Sequence, residues 1–168
     1  MVFALFSLTP ILLASGLIGA YIVSLHRRYL WLLLGLTGNH VLCTLAKKII
    51  AQPRPFGSSR HDHGMPSAHA SFVTFFFLFV VYRCWRREEY PPRELMGSVA
   101  LLAATSASRV YLGYHSVQQI IGGMLFGVCS FALWIVAFIY MERQAELQNV
   151  KKKQKQTWYL LLRICPLF

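Results

Sequence analysis

Gly64-Met65-Pro66-Ser67-Ala68-His69-Ala70-Ser71 runs directly into Phe72-Val73-Thr74-Phe75-Phe76-Phe77-Leu78-Phe79-Val80-Val81. The junction of a polar cluster with an apolar run decides the fold. Pro66 and Ser67 are start signals for a helix that Ser67 is placed to cap, and the residues that follow are apolar all round. Four more apolar stretches flank this one, roughly Val2 to Leu25, Tyr29 to Ile50, Leu95 to Tyr111 and Ser116 to Tyr140. A hydrocarbon core about 30 Å thick takes about 20 mainly apolar residues per helix. The run from His69 to Tyr82 is short for that task, so its helix must begin within the Pro-Ser-Ala-His segment or extend toward Trp85.

The chain has 168 residues, 56% of them hydrophobic, which exceeds ordinary soluble composition. The expected fold is all-α, a multi-pass transmembrane helical bundle of about five spans. Residues 1–140 would form the membrane-embedded bundle and residues 141–168 a basic cytoplasmic tail. The first stretch reads as a true span and not as a cleaved leader, because its basic residues, Arg27 and Arg28, follow the apolar run. The four cysteines, Cys43, Cys84, Cys129 and Cys165, lack metal-ligand spacing and read as buried thiols.

A formal charge of +11 would suggest nucleic acid in a soluble protein. Position argues otherwise. Twelve of the seventeen basic residues lie between spans one and two, between spans three and four, or after span five. With five spans these segments share one side, and the positive-inside rule makes that side cytoplasmic. No nucleic-acid partner is expected, and membrane lipids are. The Lys151 to Lys155 run, with Trp158 to Leu162 after it, reads as a segment along an anionic leaflet or as an unstructured tail. The other five cations, Lys47, Lys48, Arg54, Arg60 and Arg109, fall on the opposite face, four of them in or beside polar clusters.

Those clusters are Lys47 with Arg54 and Pro55, then Pro66-Ser67-Ala68-His69, then Ser108-Arg109 with His115. Pro53 and Pro55 stop the second span, so Lys47 projects near the membrane surface while Arg54 sits on the loop beyond. Arginine offers a planar fork to phosphate oxygens and lysine a compact charge. The simpler alternative is snorkelling to lipid headgroups. His69 falls in the first turn of its helix, where backbone N–H groups and the helix dipole favour an anion; taken alone, the segment is an ordinary cap. His61-Asp62-His63 has the look of a metal site, but a pair of histidines around one Asp on a Gly-Ser loop reads as solvated. Gly113 eases the turn that carries the chain from Arg109 to His115, and Gln119 lies one helical turn beyond His115. Alone, His115 would be an interfacial loop histidine. The topology, however, puts all three clusters on one face.

These residues resemble the type-2 phosphatidic acid phosphatase superfamily of membrane lipid phosphatases, whose signature is K-x6-R-P, P-S-G-H and S-R-x5-H-x3-D. Lys47, Arg54 and Pro55 match the first motif, Pro66, Ser67 and His69 the second, and Ser108, Arg109 and His115 the third. Ala68 stands where the motif has Gly, adding a methyl where backbone approaches phosphate. Gln119 stands where it has Asp, so the partner of His115 accepts a hydrogen bond but carries no charge. A slower or more restricted enzyme would follow, or another residue would take over the task. Gln52-Pro53-Arg54-Pro55, Gly64-Met65-Pro66-Ser67 and the segment Tyr111 to Gln119 are most similar to the dolichyl diphosphatase branch.

The resemblance implies an endoplasmic reticulum enzyme with a luminal site that removes one phosphate from dolichyl diphosphate, returning the carrier to protein N-glycosylation. Its substrate partner would be an isoprenoid lipid diphosphate. It also implies His115 as nucleophile and His69 as acid and base, with Lys47, Arg54, Ser67, Ala68 and Arg109 binding phosphate and Gln119 and Ser108 as orienting residues. No metal or other cofactor is expected, since the cations supply the charge. The alternatives are a broader phosphatidate or isoprenoid diphosphate phosphatase, and a non-catalytic lipid-phosphate-binding protein motivated by Gln119.

Overall fold

The computed structural model describes residues 5–58, 62–87 and 92–164. Arg60, His61, Cys165 and the side chains of Trp158 to Leu162 lie outside the described residues. Regular structure among the described residues is helical: a 3-10 turn, Phe6–Leu8, then α1 Thr9–Ser24, α2 Arg27–Ile50, α3 Ala68–Arg87, α4 Pro92–Tyr111 and α5 Val117–Ile164. Two compact units divide the chain at Ala132 and Leu133. The second consists of helix among its described residues, with Trp134 and Phe138 stacked one turn apart at 5.2 Å.

By length and composition, Phe6–Ser24, Arg27–Ile50, Ala68–Arg86 and Val117–Thr157 can each cross a membrane. The chain is a multi-pass membrane protein. Helix α4, expected as a span over Leu95 to Tyr111, has the length but a more polar composition. Ser98, Thr105, Ser106, Ser108 and Arg109 on it are buried, so its polar groups face protein, where a membrane helix tolerates them. Helix α1 follows the 3-10 turn directly, and residues 2–4 of the expected stretch lie outside the described residues. Pro10 stands in its first turn, where a missing N–H costs nothing. Leu25 and Ala51 end α1 and α2 in the left-handed conformation, and each donates its N–H to the carbonyl four residues back, at 2.7 and 3.0 Å.

Within the first unit α3 and the start of α5 run side by side from the same end. A Cβ placed on Gly123 would lie 2.5 Å from the Ser67 carbonyl oxygen, and one on Gly127 2.6 Å from that of Ser71. Backbone approaches backbone here, as small residues allow in membrane helices. Below these glycines the Asn39 Oδ1 on α2 accepts hydrogen bonds from Ser71 Oγ at 2.8 Å and Ser130 Oγ at 2.5 Å, tying three helices through one amide. Phe75 and Phe131 meet edge to face at 5.3 Å. Cys43 and Cys84 are buried as expected, but Cys129 is exposed, because α5 turns Gly127 and Ser130 inward and so carries Cys129 away. At the end remote from the three clusters, Arg83 and Glu94 pair at 3.5 Å.

Gly127→Val should cost at least about 1–3 kcal/mol, the usual range for overpacking. Gly38→Ala, at a helical position with nothing within 4 Å of the added carbon, should be neutral or slightly stabilising. Thermal unfolding of both variants in detergent measures the difference.

Candidate functional site

The loop from α2 to α3, the first turn of α3 and the turn between α4 and α5 meet over a cavity of about 210 Å³. Lys47, Arg54, Ala68, His69, Arg109 and His115 all line it. Residues far apart in the sequence are therefore gathered as the clusters suggested. Ser67 is not among the lining residues. It holds the N-cap position of α3, yet its buried hydroxyl has no hydrogen-bond partner among the described residues, so the expected side-chain cap does not form. Ser67 packs against Gly123, and its backbone N–H donates to the Gln119 carbonyl at 3.1 Å. Ala68 and His69 bring the first-turn N–H groups of α3, which have no intrahelical acceptor, to the cavity wall.

The S-R-x5-H spacing has a local cause. The Arg109 carbonyl, at the end of α4, accepts the N–H groups of Tyr114 at 3.0 Å and His115 at 3.2 Å, with Gly113 at φ +66° making the reversal. The turn thus folds His115 back beside Arg109. Arg109 is 1% exposed. Its Nε donates to Ser108 Oγ at 3.2 Å, its Nη2 to Ser7 Oγ at 2.8 Å, and its guanidinium lies 5.4 Å from the Tyr114 ring centre. Ser108 therefore orients Arg109, not His115.

Gln119 orients His115. Its Oε1 lies 3.2 Å from His115 Nδ1 and accepts the Ser116 N–H at 3.3 Å, while Ser116 Oγ accepts the Gln119 N–H at 3.3 Å. Ser116 and Gln119 form a reciprocal capping box at the start of α5. On its other side the amide donates from Nε2 to the Pro53 carbonyl at 2.8 Å. A backbone donor on one edge and a backbone acceptor on the other fix which way the amide points, so His115 Nδ1 must carry the proton and Nε2 the lone pair. Gly64 covers the amide closely enough that any side chain there would collide with it.

Arg54 reaches the lone-pair nitrogen. Its Nη1 lies 3.1 Å from His115 Nε2 and donates to the Tyr114 carbonyl at 2.7 Å. Burial first, then the Arg54 and Lys47 charges, push the His115 imidazole down to about 4; the Gln119 hydrogen bond opposes them. The ring is thus neutral near pH 7, with its nucleophilic form populated. Asp62 was read as solvated, but the arginine fork captures it. Arg54 Nε and Nη2 each donate to its carboxylate at 2.9 Å, and Lys47 Nζ stands 3.9 Å away. The Arg54 hydrogen bonds hold the Asp62 carboxyl below the usual carboxylate range. Lys48 is exposed and is not among the lining residues, as snorkelling would have it.

Ser7, Pro10, His40, Thr44 and Tyr114 also belong to the site and were not singled out from the sequence. Ser7 receives Arg109 at its hydroxyl, and its carbonyl accepts from His69 Nε2 at 3.1 Å. The signal that could have found His40 is its presence, with Thr44, on the Lys47 face of an apolar helix.

The family model of the PAP2 superfamily matches residues 28–144. A dolichyldiphosphatase of Saccharomyces cerevisiae is 34% identical over 180 residues, covering 98% of this chain and 71% of that protein. Dolichyldiphosphatase 1 of Homo sapiens is 30% identical over 148 residues, or 79% of this chain and 62% of that protein. A transmembrane PAP2-type phosphatidylglycerolphosphate phosphatase from Bacillus subtilis shares the fold, with a TM-score of 0.60 at 19% identity, covering 82% of this chain and 70% of its own.

Histidine-selective NMR should find His115 titrating near pH 4. Gln119→Asp places a negative charge beside Nδ1, which favours the imidazolium and should raise that midpoint toward or above 6.5, the ordinary histidine value. An unmoved midpoint would mean that the ring and residue 119 are not in contact.

Proposed function

Since the chain belongs to the PAP2 superfamily, we propose that it is an integral membrane phosphatase that hydrolyses dolichyl diphosphate to dolichyl phosphate and inorganic phosphate. The observation that carries this reading is the unprotonated Nε2 of His115 in a cavity shared with His69, Lys47, Arg54 and Arg109. An imidazole held neutral and in one tautomer is an activated nucleophile.

His115 Nε2 attacks the terminal phosphorus, forming an N–P bond as the bond from phosphorus to the bridging oxygen breaks. His69, in its imidazolium form, gives a proton to the departing dolichyl phosphate and is left neutral. Water then attacks the phosphohistidine, neutral His69 takes the water's proton, and the N–P bond breaks to return the lone pair to His115 and release inorganic phosphate. As substrate enters, Arg54 exchanges Nε2 and Asp62 for phosphoryl oxygens, joined by Lys47, Arg109 and the first-turn amides of Ala68 and His69. Ser67 supports that turn from behind the wall. Such preorganised donors stabilise charge where it develops in the transition state. Three cations supply what a metal ion supplies elsewhere.

The dolichyl substrate is suggested by the yeast and human relatives' names. Recycling of that carrier would serve protein N-glycosylation from the endoplasmic reticulum membrane. Residues 1–140 act as the bundle, and residues 141–168 as a basic tail in the cytoplasm. The basic residues of the inter-span segments support this sidedness, with the phosphate site facing the lumen.

Phosphate release from dolichyl diphosphate should persist in excess chelator, vanish in His115→Ala, and fall about 10²–10³-fold when a charge-stabilising donor is weakened in Arg109→Lys. Retained turnover in His115→Ala would refute the mechanism. For sidedness, sealed microsomes should show latent activity that permeabilisation releases; equal activity in both would place the site on the cytoplasmic face.

A further inference from the structure

The cavity has two unlike halves. Lys47, Arg54, Arg109, His69 and His115 suffice to surround one phosphoryl group, yet the cavity of about 210 Å³ extends beyond them. The rest of the lining includes His40 and Thr44. On α2 the residues 40, 44 and 47 follow at spacings of four and three, so they stack along one face. At 1.5 Å per residue His40 lies about 10 Å along the axis from Lys47, toward the middle of the span.

An ionisable side chain inside an apolar helix is costly unless it faces a cavity or a partner. His40 sits within the candidate span Arg27–Ile50 and is exposed. Its ring has no hydrogen-bond partner among the described residues. The Thr44 hydroxyl donates to the His40 carbonyl at 2.8 Å, a local bond that a rotation about χ1 exchanges for an external acceptor. Two polar groups thus stand one and two turns below the phosphoryl ring with nothing in the proposed chemistry to do.

We infer that His40 and Thr44 form a second anion subsite, which holds the inner phosphate of a lipid diphosphate while the terminal phosphate occupies the ring of cations. The inference rests on the function proposed above and deepens it, making these side chains the discriminator between diphosphate and monophosphate lipids. A His40 ring N–H and the Thr44 hydroxyl donate to non-bridging oxygens of the inner phosphate. The direction suits an amphiphile: from Lys47 past Thr44 to His40 the groove descends into the span, where the isoprenoid chain continues.

The test uses the full-length protein in detergent, with an isoprenoid diphosphate and the monophosphate of the same chain length. Two readouts are taken: phosphate release, and apparent affinity from the rise in melting temperature with ligand concentration. Wild type should bind the diphosphate at least tenfold more tightly than the monophosphate. His40→Ala and Thr44→Val should each erase most of that preference by weakening diphosphate binding, leaving monophosphate affinity within about twofold. His40→Gln, which keeps a donor, should restore part of it. Equal losses for both ligands, or an unchanged preference in His40→Ala, would overturn the subsite and assign His40 to the membrane interface. A wild type that prefers the diphosphate, loses that preference in His40→Ala and yet releases no phosphate would overturn the proposed function while leaving the subsite standing.

Discussion

The site depends on how closely α5 can lie against α3. Gly123 and Gly127 let the two helices touch backbone to backbone over the carbonyls of Ser67 and Ser71, and the Ser67 N–H closes onto the Gln119 carbonyl at the top of the contact. Both helices start at this end, and the pairing of Gly123 with Ser67 and of Gly127 with Ser71 fixes the offset between their starts. His69 belongs to one first turn and His115 precedes the N-cap of the other. A slip of one turn would move the rings apart by about 5.4 Å, more than a shared phosphoryl group tolerates. The Asn39 amide, bonded to both Ser71 and Ser130, opposes such a slip. Bilayer lipid supplies little drive for helix association, so packing of small residues and a few hydrogen bonds must set the register.

Gln119 converts that register into chemistry. One neutral amide closes the helix cap, fixes the tautomer of His115 and anchors the Pro53 carbonyl. A carboxylate there would hold the same tautomer but stabilise the protonated ring. With an amide, burial and the neighbouring cations dominate, and the imidazole stays neutral well below pH 7. The exchange has two sides: the lone pair is not lost to protonation, whereas positive charge developing on the ring during attack receives less support. A substrate that brings its own negative charge provides that support.

Much of this was legible in the sequence because membrane helices write themselves in long apolar runs and prolines mark where they stop. The span over Leu95 to Tyr111 was counted from its apolar length, and that Ser98, Thr105, Ser106, Ser108 and Arg109 on it are buried is a matter of packing that the run by itself does not give. Cations on the wrong face for the positive-inside rule pointed to Lys47, Arg54 and Arg109, and the structure gathers these three in one cavity. Contacts that no motif encodes stayed hidden. Ser7 reaches His69 and Arg109 from the other end of the chain, and Asp62 looked solvated because its partner Arg54 lies on a different limb of the same loop. Ser67 misled as well: at an N-cap position a serine ordinarily caps, but here its hydroxyl is buried beside Gly123 with no hydrogen-bond partner among the described residues.

Charge balance explains why the cavity is poised and not collapsed. Arg109 is almost wholly buried, and a buried guanidinium is tolerated only when its donors are satisfied and its charge is answered. It donates to the neutral hydroxyls of Ser7 and Ser108, which satisfy geometry without cancelling charge. Asp62 is the one acid among the residues lining the cavity, and with its side chain 58% exposed it answers Arg54 and Lys47 from the rim. Three cations against a single carboxylate leave a net positive interior, in which each cation raises the cost of the others. A multiply charged phosphate relieves that excess more fully than Asp62 does, so binding draws on the repulsion among these cations. The exposed carboxylate is the group best placed to yield, because water can take over the hydrogen bonds it gives up.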